Sequence, residues 1–210
     1  MSLSDWALMS ESAAAPAPKK GRPGLDRRFV LDTAVTAFIE FGYDATSMGM
    51  IAERLGLSKA AVYHHYPAKA EMLGAALDKA LGGLEGVLLE DGALQGSAED
   101  RLAYVLRGAI NILTTRLPYV TLLLRVRGNT DVEREALRRR RDFDRSVTAL
   151  VAEARDEGSV RSDIDPRVIT RLLFGMINSI VEWYRPDGPE SGDQLANEVL
   201  AMALEGLSAT

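Results

Sequence analysis

Residues 46–69 read TSMGMIAERLGLSKAAVYHHYPAK, and they constrain the fold more than any other stretch of the chain. They spell two short helices joined by a tight turn. Thr46 or Ser47 offers a hydroxyl that can accept from a free amide in the first turn of the first helix. Ile51, Ala52 and Leu55 then share one helical face. Gly56 follows, where a chain leaving a helix takes a positive φ that costs least at glycine. Leu57 is expected to be the buried residue of the turn. Ser58 caps the second helix, and Val62 returns an apolar contact to the pair. This is a helix-turn-helix, whose second helix fits the major groove of DNA.

The formal net charge of −5 looks wrong for a DNA-binding chain until its distribution is read. Residues 19–69 carry eight Lys or Arg against five Asp or Glu, while residues 70–210 carry 17 against 23. The surface expected to meet phosphates therefore lies in the first third. There is no cysteine, and both histidines, His64 and His65, sit inside the motif. Cysteine nucleophiles, thiolate metal sites and histidine triads are thereby excluded, so no catalytic residue, metal ligand set or cofactor is expected. Residues 1–18 lack a basic start and a long apolar run, so no secretory signal is expected. The longest weakly polar stretch, about Leu172 to Val181, is too short to cross a bilayer, which takes roughly 20 residues. A cytoplasmic protein is the expectation.

The fold class is expected to be all-α. Residues 1–24 are rich in Ser, Ala, Pro and Gly and read as a basic N-terminal arm without structure of its own. Residues 25–70 read as a three-helix DNA-binding domain, whose first helix spans 26–42 with Val30, Ala34, Phe38 and Phe41 at helical spacing. Residues 71–210 read as an all-helical ligand-binding and dimerisation domain. Its fourth helix is expected to start at Pro67 and run to about Leu89, weakened by Gly74, Gly82, Gly83 and Gly86. Further helices are expected from Ser97 to about Arg116, from Pro118 to near Gly128, from Asp131 to Gly158, from Pro166 to Tyr184, and from Ser191 to Leu207.

The segment from Phe29 to Leu73 resembles the N-terminal domain of the TetR family of bacterial transcription regulators. The marks are Ala34 and Phe38, Gly42-Tyr43, Thr46-Ser47, Ile51-Ala52, Leu55-Gly56, Ser58-Lys59 and the run Tyr63-His64-His65-Tyr66-Pro67 closing on Lys69. The resemblance implies phosphate contacts from Tyr63 and Lys69, and dimerisation through the last two helices as a four-helix bundle. It departs from the family at Gly49, where many members carry a basic residue, and at Met50, a place commonly polar. Residues 173–188 resemble, more narrowly, members that control fatty-acid or steroid degradation and respond to acyl-CoA thioesters.

Taken residue by residue, the recognition helix offers Lys59, Ala60, Tyr63 and His64 on or near its outward face. Lys59 can donate to guanine O6 or N7, Ala60 can lie against a thymine methyl, and Tyr63 and His64 can reach phosphates or base edges. His65 and Tyr66 are open between packing and contact. Thr46 and Ser47 are the expected contacts from the helix before it. Lys19, Lys20 and Arg22, around Gly21 and Pro23, resemble arms that enter A·T-rich minor grooves, the alternative being a solvated tail that only raises solubility. Arg134, Arg138, Arg141 and Arg145 form a stripe that can meet CoA phosphates or lie solvated beside Asp and Glu. Arg138, Arg141, Asn178 and Trp183 are the candidate effector residues. Asn178, an amide on an apolar helix, needs a partner across a dimer or on a ligand.

The reading that follows is a ligand-responsive homodimeric repressor. It binds a palindromic double-stranded operator and is released by a small hydrophobic effector, for which the narrower resemblance implies an acyl-CoA. Two rivals are an all-α enzyme with an accessory DNA-binding head and an architectural DNA-binding protein without a ligand.

Overall fold

The structure, a computed structural model, describes residues 26–208. Within them ten helices follow one another: α1 (Arg27–Phe41), α2 (Met48–Leu55), α3 (Lys59–His65), α4 (Lys69–Val87), α5 (Asp91–Leu94), α6 (Ala98–Thr115), α7 (Leu117–Arg125), α8 (Asp131–Asp156), α9 (Pro166–Trp183) and α10 (Gly192–Leu207). Among the described residues there is no strand, only an isolated antiparallel bridge between Val160 and Ser208. No helix of this set is long and apolar enough to cross a membrane.

Most of the helices start where a short polar side chain can take an otherwise free amide. Asp26, Ser47, Ser58, Ser97, Asp165 and Ser191 each accept from a first-turn backbone N–H. At α8 the cap is reciprocal: Thr130 accepts from the Glu133 amide, and the Glu133 carboxylate accepts from the Thr130 and Asn129 amides. That explains a glutamate only 5% exposed. The α2–α3 turn forms as the motif demands, with Gly56 left-handed at φ 65° and its amide bonded back to α2.

One boundary expectation needed correction. Pro67 is not in α4; it holds Tyr66 extended, Ala68 is extended as well, and the helix begins only at Lys69. The glycines of α4 do not break it. Gly83 instead lets α6 come close, since a Cβ there would fall 2.8 Å from Ile112 and 2.9 Å from Arg116. Phe41 is half exposed rather than buried; it ends α1, and the Arg54 guanidinium covers its ring from 5.7 Å. The short α5 had no counterpart in the sequence reading.

Apolar burial runs without a break from α1 to α10. Val30, Ala34 and Phe38 of α1 meet α2, α3 and the start of α4. Farther along, Leu77 and Leu81 of α4 join Leu102, Leu106 and Ile110 of α6, Val147 and Val151 of α8, and Leu173 and Ile177 of α9. The helix α9 packs on α8 and α7, and α10 packs on α6.

The seam between the first three helices and the rest is polar as well as apolar. The Tyr119 hydroxyl of α7 donates to the Asp32 carboxylate of α1, and Lys79 of α4 donates to the same hydroxyl at 3.0 Å. Burial, then the hydrogen bond to Asp32, push the Tyr119 phenol far above its usual range. At the other end of α7, Arg125 donates to the Ile39 carbonyl at 2.7 Å. So α7 holds α1 at both its ends.

Candidate DNA interface and effector cleft

The recognition helix α3 is anchored by Val62, which is fully buried, and by Tyr66 just beyond it. Tyr66 packs inward with the Arg27 guanidinium 4.6 Å above its ring, which settles one of the two open residues; His65 is half-buried. Opposite Val62, the outward face carries Ala60, His64 and Tyr63, the last 47% exposed. Lys59 is exposed too, but its side chain folds back toward α2: a Cβ on Gly49 would lie 2.9 Å from Lys59 Cε and 3.3 Å from Nζ. The ammonium is thus set over the first turn of α2 rather than along the axis of α3. Ser47 caps α2 and is exposed. Lys19, Lys20 and Arg22 lie outside the described residues.

Two expected DNA contacts, Thr46 and Lys69, are engaged inside the protein. Thr46 is 1% exposed, and its hydroxyl is 2.7 Å from the Gly42 carbonyl and 3.2 Å from that of Ala37. It fastens the α1–α2 loop and is not available to DNA. Lys69 donates to the carbonyls of Tyr43, Asp44 and Thr46 at 2.7, 3.3 and 2.8 Å, with its ammonium 4.3 Å from the Tyr43 ring centroid. An ammonium has three donors, and here each is aimed at a loop carbonyl. In this chain both residues hold the motif together. Thr46→Val is accordingly expected to lower stability by about 0.5–1.5 kcal/mol, the net worth of the hydroxyl's hydrogen bonding to the Gly42 and Ala37 carbonyls. Thermal melting checks it; an unchanged melting temperature would return Thr46 to the surface.

A second candidate site lies between α8 and α9. It is a cleft of about 450 Å³ lined by Arg140, Arg141 and Asp144 of α8 and by Arg171, Phe174 and Asn178 of α9. Arg145 and Arg167 stand at its edge, each paired with an aspartate, Asp142 and Asp165. Among the described residues Arg140, Arg141 and Arg171 make no ion pair. Arg140, Asp144, Phe174 and Asn178 also border a smaller recess of about 30 Å³, closed by Leu84, Leu113, Leu123, Phe143 and Ile177. Burial pushes the Asp144 carboxyl above the usual carboxylate range, and the nearby Arg140 only partly offsets this. The arrangement is a positively charged mouth leading to a small apolar end, with a carboxyl and an amide at the neck.

The sequence stripe found this cleft only in part. Arg141 and Asn178 line it. Arg138 does not: its guanidinium is held by Glu135 and Asp142 on the solvated side of α8. Arg134 is likewise paired with Asp131. Trp183 is half exposed and outside the cleft, on a face of α9 that also shows Val168 and Leu172. Arg140, Asp144, Arg171 and Phe174 were missed. Their only signal was the α8–α9 pairing, which periodicity within one helix does not carry.

A capped helix-turn-helix with an outward recognition face, set on an all-helical body, defines a DNA-binding transcription regulator. Comparison with known proteins gives the family. Residues 30–76 match the model described as bacterial regulatory proteins, tetR family, and residues 95–207 match that of the tetracyclin repressor-like C-terminal domain. The chain belongs to the TetR family and is a TetR-type transcriptional repressor. It is 29% identical over 200 residues to the HTH-type transcriptional repressor KstR2 of Rhodococcus jostii, covering 90% of this chain and 93% of that protein. A crystal structure of a TetR transcriptional regulator family member from Streptomyces coelicolor A3 superposes with a TM-score of 0.80 at 47% identity, covering 92% of this chain and 93% of that one. AibR, in a crystal structure with isovaleryl coenzyme A and operator DNA, superposes with a TM-score of 0.70 at 26% identity, covering 84% and 96%.

Proposed function

We propose that this repressor works as a homodimer on a palindromic operator and leaves it when an acyl-CoA thioester fills the α8–α9 cleft. The observation that carries the effector reading is the set of arginines without carboxylate partners, Arg140, Arg141 and Arg171, at the mouth of an apolar recess. Phosphates of CoA suit the guanidinium forks, and the recess of about 30 Å³ takes the tip of a short acyl group, each buried methylene contributing about 0.8 kcal/mol. The likeness to AibR, crystallised with an acyl-CoA and operator DNA, supports the same class. Val168, Leu172 and Trp183 on α9 and Met202 on α10 supply the exposed apolar residues for the dimer. The protein acts where its operator is, in the cytoplasm. Lys19, Lys20 and Arg22 add minor-groove contacts beside the recognition helices.

The route from cleft to DNA runs through α7. Leu123 and Leu124 border the recess, while Tyr119 and Arg125 of the same helix hold Asp32 and the Ile39 carbonyl of α1. A ligand that displaces α7 moves the DNA-binding unit and changes the separation of the two recognition helices, which must stay ~34–36 Å apart to enter successive major grooves. It must bind the displaced state better, or it shifts nothing.

Titration of acyl-CoAs of rising chain length against the protein–DNA complex tests the reading. Release is expected to strengthen with chain length up to the size of the recess, with the free acids acting poorly. Release by an uncharged hydrophobic drug but by no acyl-CoA would overturn it. On the DNA side, Tyr63→Ala is expected to cost about 1–3 kcal/mol of operator affinity. Unchanged binding in a gel-shift titration would mean that α3 is not the reading helix.

A further inference from the structure

The one glycine at which the recognition unit departs from its family has a side chain lying across it. Gly49 is the second residue of α2, and Lys59 is the first of α3. A Cβ on Gly49 would meet Lys59 Cε at 2.9 Å, Lys59 Nζ at 3.3 Å and Ser47 Oγ at 3.5 Å. The ammonium of α3 therefore occupies the space above α2 that any other residue at position 49 would fill. In a helix-turn-helix the first helix crosses the DNA backbone, and the second presents its N-terminal residues to base edges. A cation drawn back over α2, beside the exposed Ser47 hydroxyl, is at the backbone side of the unit.

We propose that Gly49 positions Lys59 as a phosphate contact, and so removes from base reading a lysine that the sequence places at the start of the recognition helix. Lys59 is the contacting residue; Gly49 acts only through it. Sequence choice then falls to Ala60, Tyr63 and His64 farther along α3. Among the described residues Lys59 makes no ion pair, and the atoms a Cβ at 49 would displace are the far end of its own flexible chain, the Ser47 hydroxyl staying at ordinary contact distance. The substitution Gly49→Ala is consequently compatible with folding, since alanine favours a helix more than glycine does and only a lysine tip has to move.

The test uses the full chain and a palindromic duplex that the wild-type protein selects from random DNA. Affinity is measured over a series of salt concentrations for wild type, Gly49→Ala, Lys59→Ala and the double variant, and each variant is also put through the selection. Lys59→Ala is expected to select the same sequence and to weaken all duplexes alike. Its slope of log K on log salt should be shallower by about 0.9 per half-site. Gly49→Ala is expected to weaken binding about 10-fold or more when Lys59 is present, the loss of one well-placed hydrogen bond to a charged group in each half-site, and by less than about twofold when Lys59 is already alanine, as independent sites would not behave. A merely structural role for Gly49 would give the same loss in both backgrounds, and that result overturns the proposal. So does a Lys59→Ala variant with an unchanged salt slope and a relaxed preference at one base pair. The inference rests on α3 being the reading helix, and the two failures are separable. If Tyr63→Ala also costs nothing, the helix is misplaced; if Tyr63→Ala costs what is expected, only the role given to Gly49 and Lys59 falls.

Discussion

Leu172→Asp is expected to give a folded monomer that has lost roughly 10²- to 10⁴-fold in operator affinity, the gain that joining two modest half-site contacts supplies. Leu172 is 64% exposed, so the substitution removes little from the core of one chain. Val168 and Trp183 are exposed on the same face of α9, and Met202 is 63% exposed on α10. Isolated exposed apolar side chains are common, but several on the last two helices of a DNA-binding chain fit the proposed dimer surface. A carboxylate at the centre of such a surface must be buried without a partner or must hold the two chains apart. Sedimentation at micromolar concentration and a melting curve decide the outcome together. A dimer that persists in Leu172→Asp would move the interface away from α9; a chain that fails to melt cooperatively would show that Leu172 serves the fold instead, and Met202→Glu would then carry the test.

The second large effect is expected in the cleft. Replacing Arg140 and Arg171 together with alanine should raise the acyl-CoA concentration needed for DNA release by about 100-fold or more, since hydrogen bonds to charged groups contribute about 1.5–3 kcal/mol each. Operator affinity without effector should change by less than about threefold, because neither residue lies near α1, α2 or α3. Arg138→Ala is the internal control: its guanidinium is tied to Glu135 and Asp142 on the solvated side of the same helix, so the response should be unaltered. Equal loss from Arg138→Ala and from the double variant would mean that only net charge matters and that the cleft is not the site. An unaltered response in the double variant would remove the phosphate role from these arginines.

The recognition unit was legible in the sequence because everything that makes it is local. Ser47 and Ser58 cap the helix that starts one residue later, and Gly56 takes the positive φ that ends α2. Val62 had to be apolar for α3 to pack at all. The same locality misled at Thr46 and Lys69. Their positions in the motif were right, but a threonine beside an exposed helix start gives no sign that its hydroxyl points to Ala37 and Gly42 behind it. Nor does a lysine after a proline show that three loop carbonyls from residues 43–46 converge on it. The pairing of Tyr119 with Asp32, 87 residues apart, had no sequence signal.

For the regulatory body the division is different in kind. The sequence by itself determined that residues beyond 70 would be helices, where all of them but the short α5 would start and stop to within a few residues, and that one of them would carry many arginines. Caps, glycines and prolines act over three or four residues, and those distances are fixed along the chain. Which arginines face a cleft was decided only when α9 docked on α8. A helix periodic in charge presents acceptable stripes on more than one side, and its neighbours α4, α6 and α9 together choose between them by covering Ala136, Phe143, Val147 and Leu150. That docking left Arg138 among carboxylates in water and placed Arg140 and Arg171 in the lining of the α8–α9 cleft, because the packing of two helices depends on both surfaces at once and neither sequence segment contains the other.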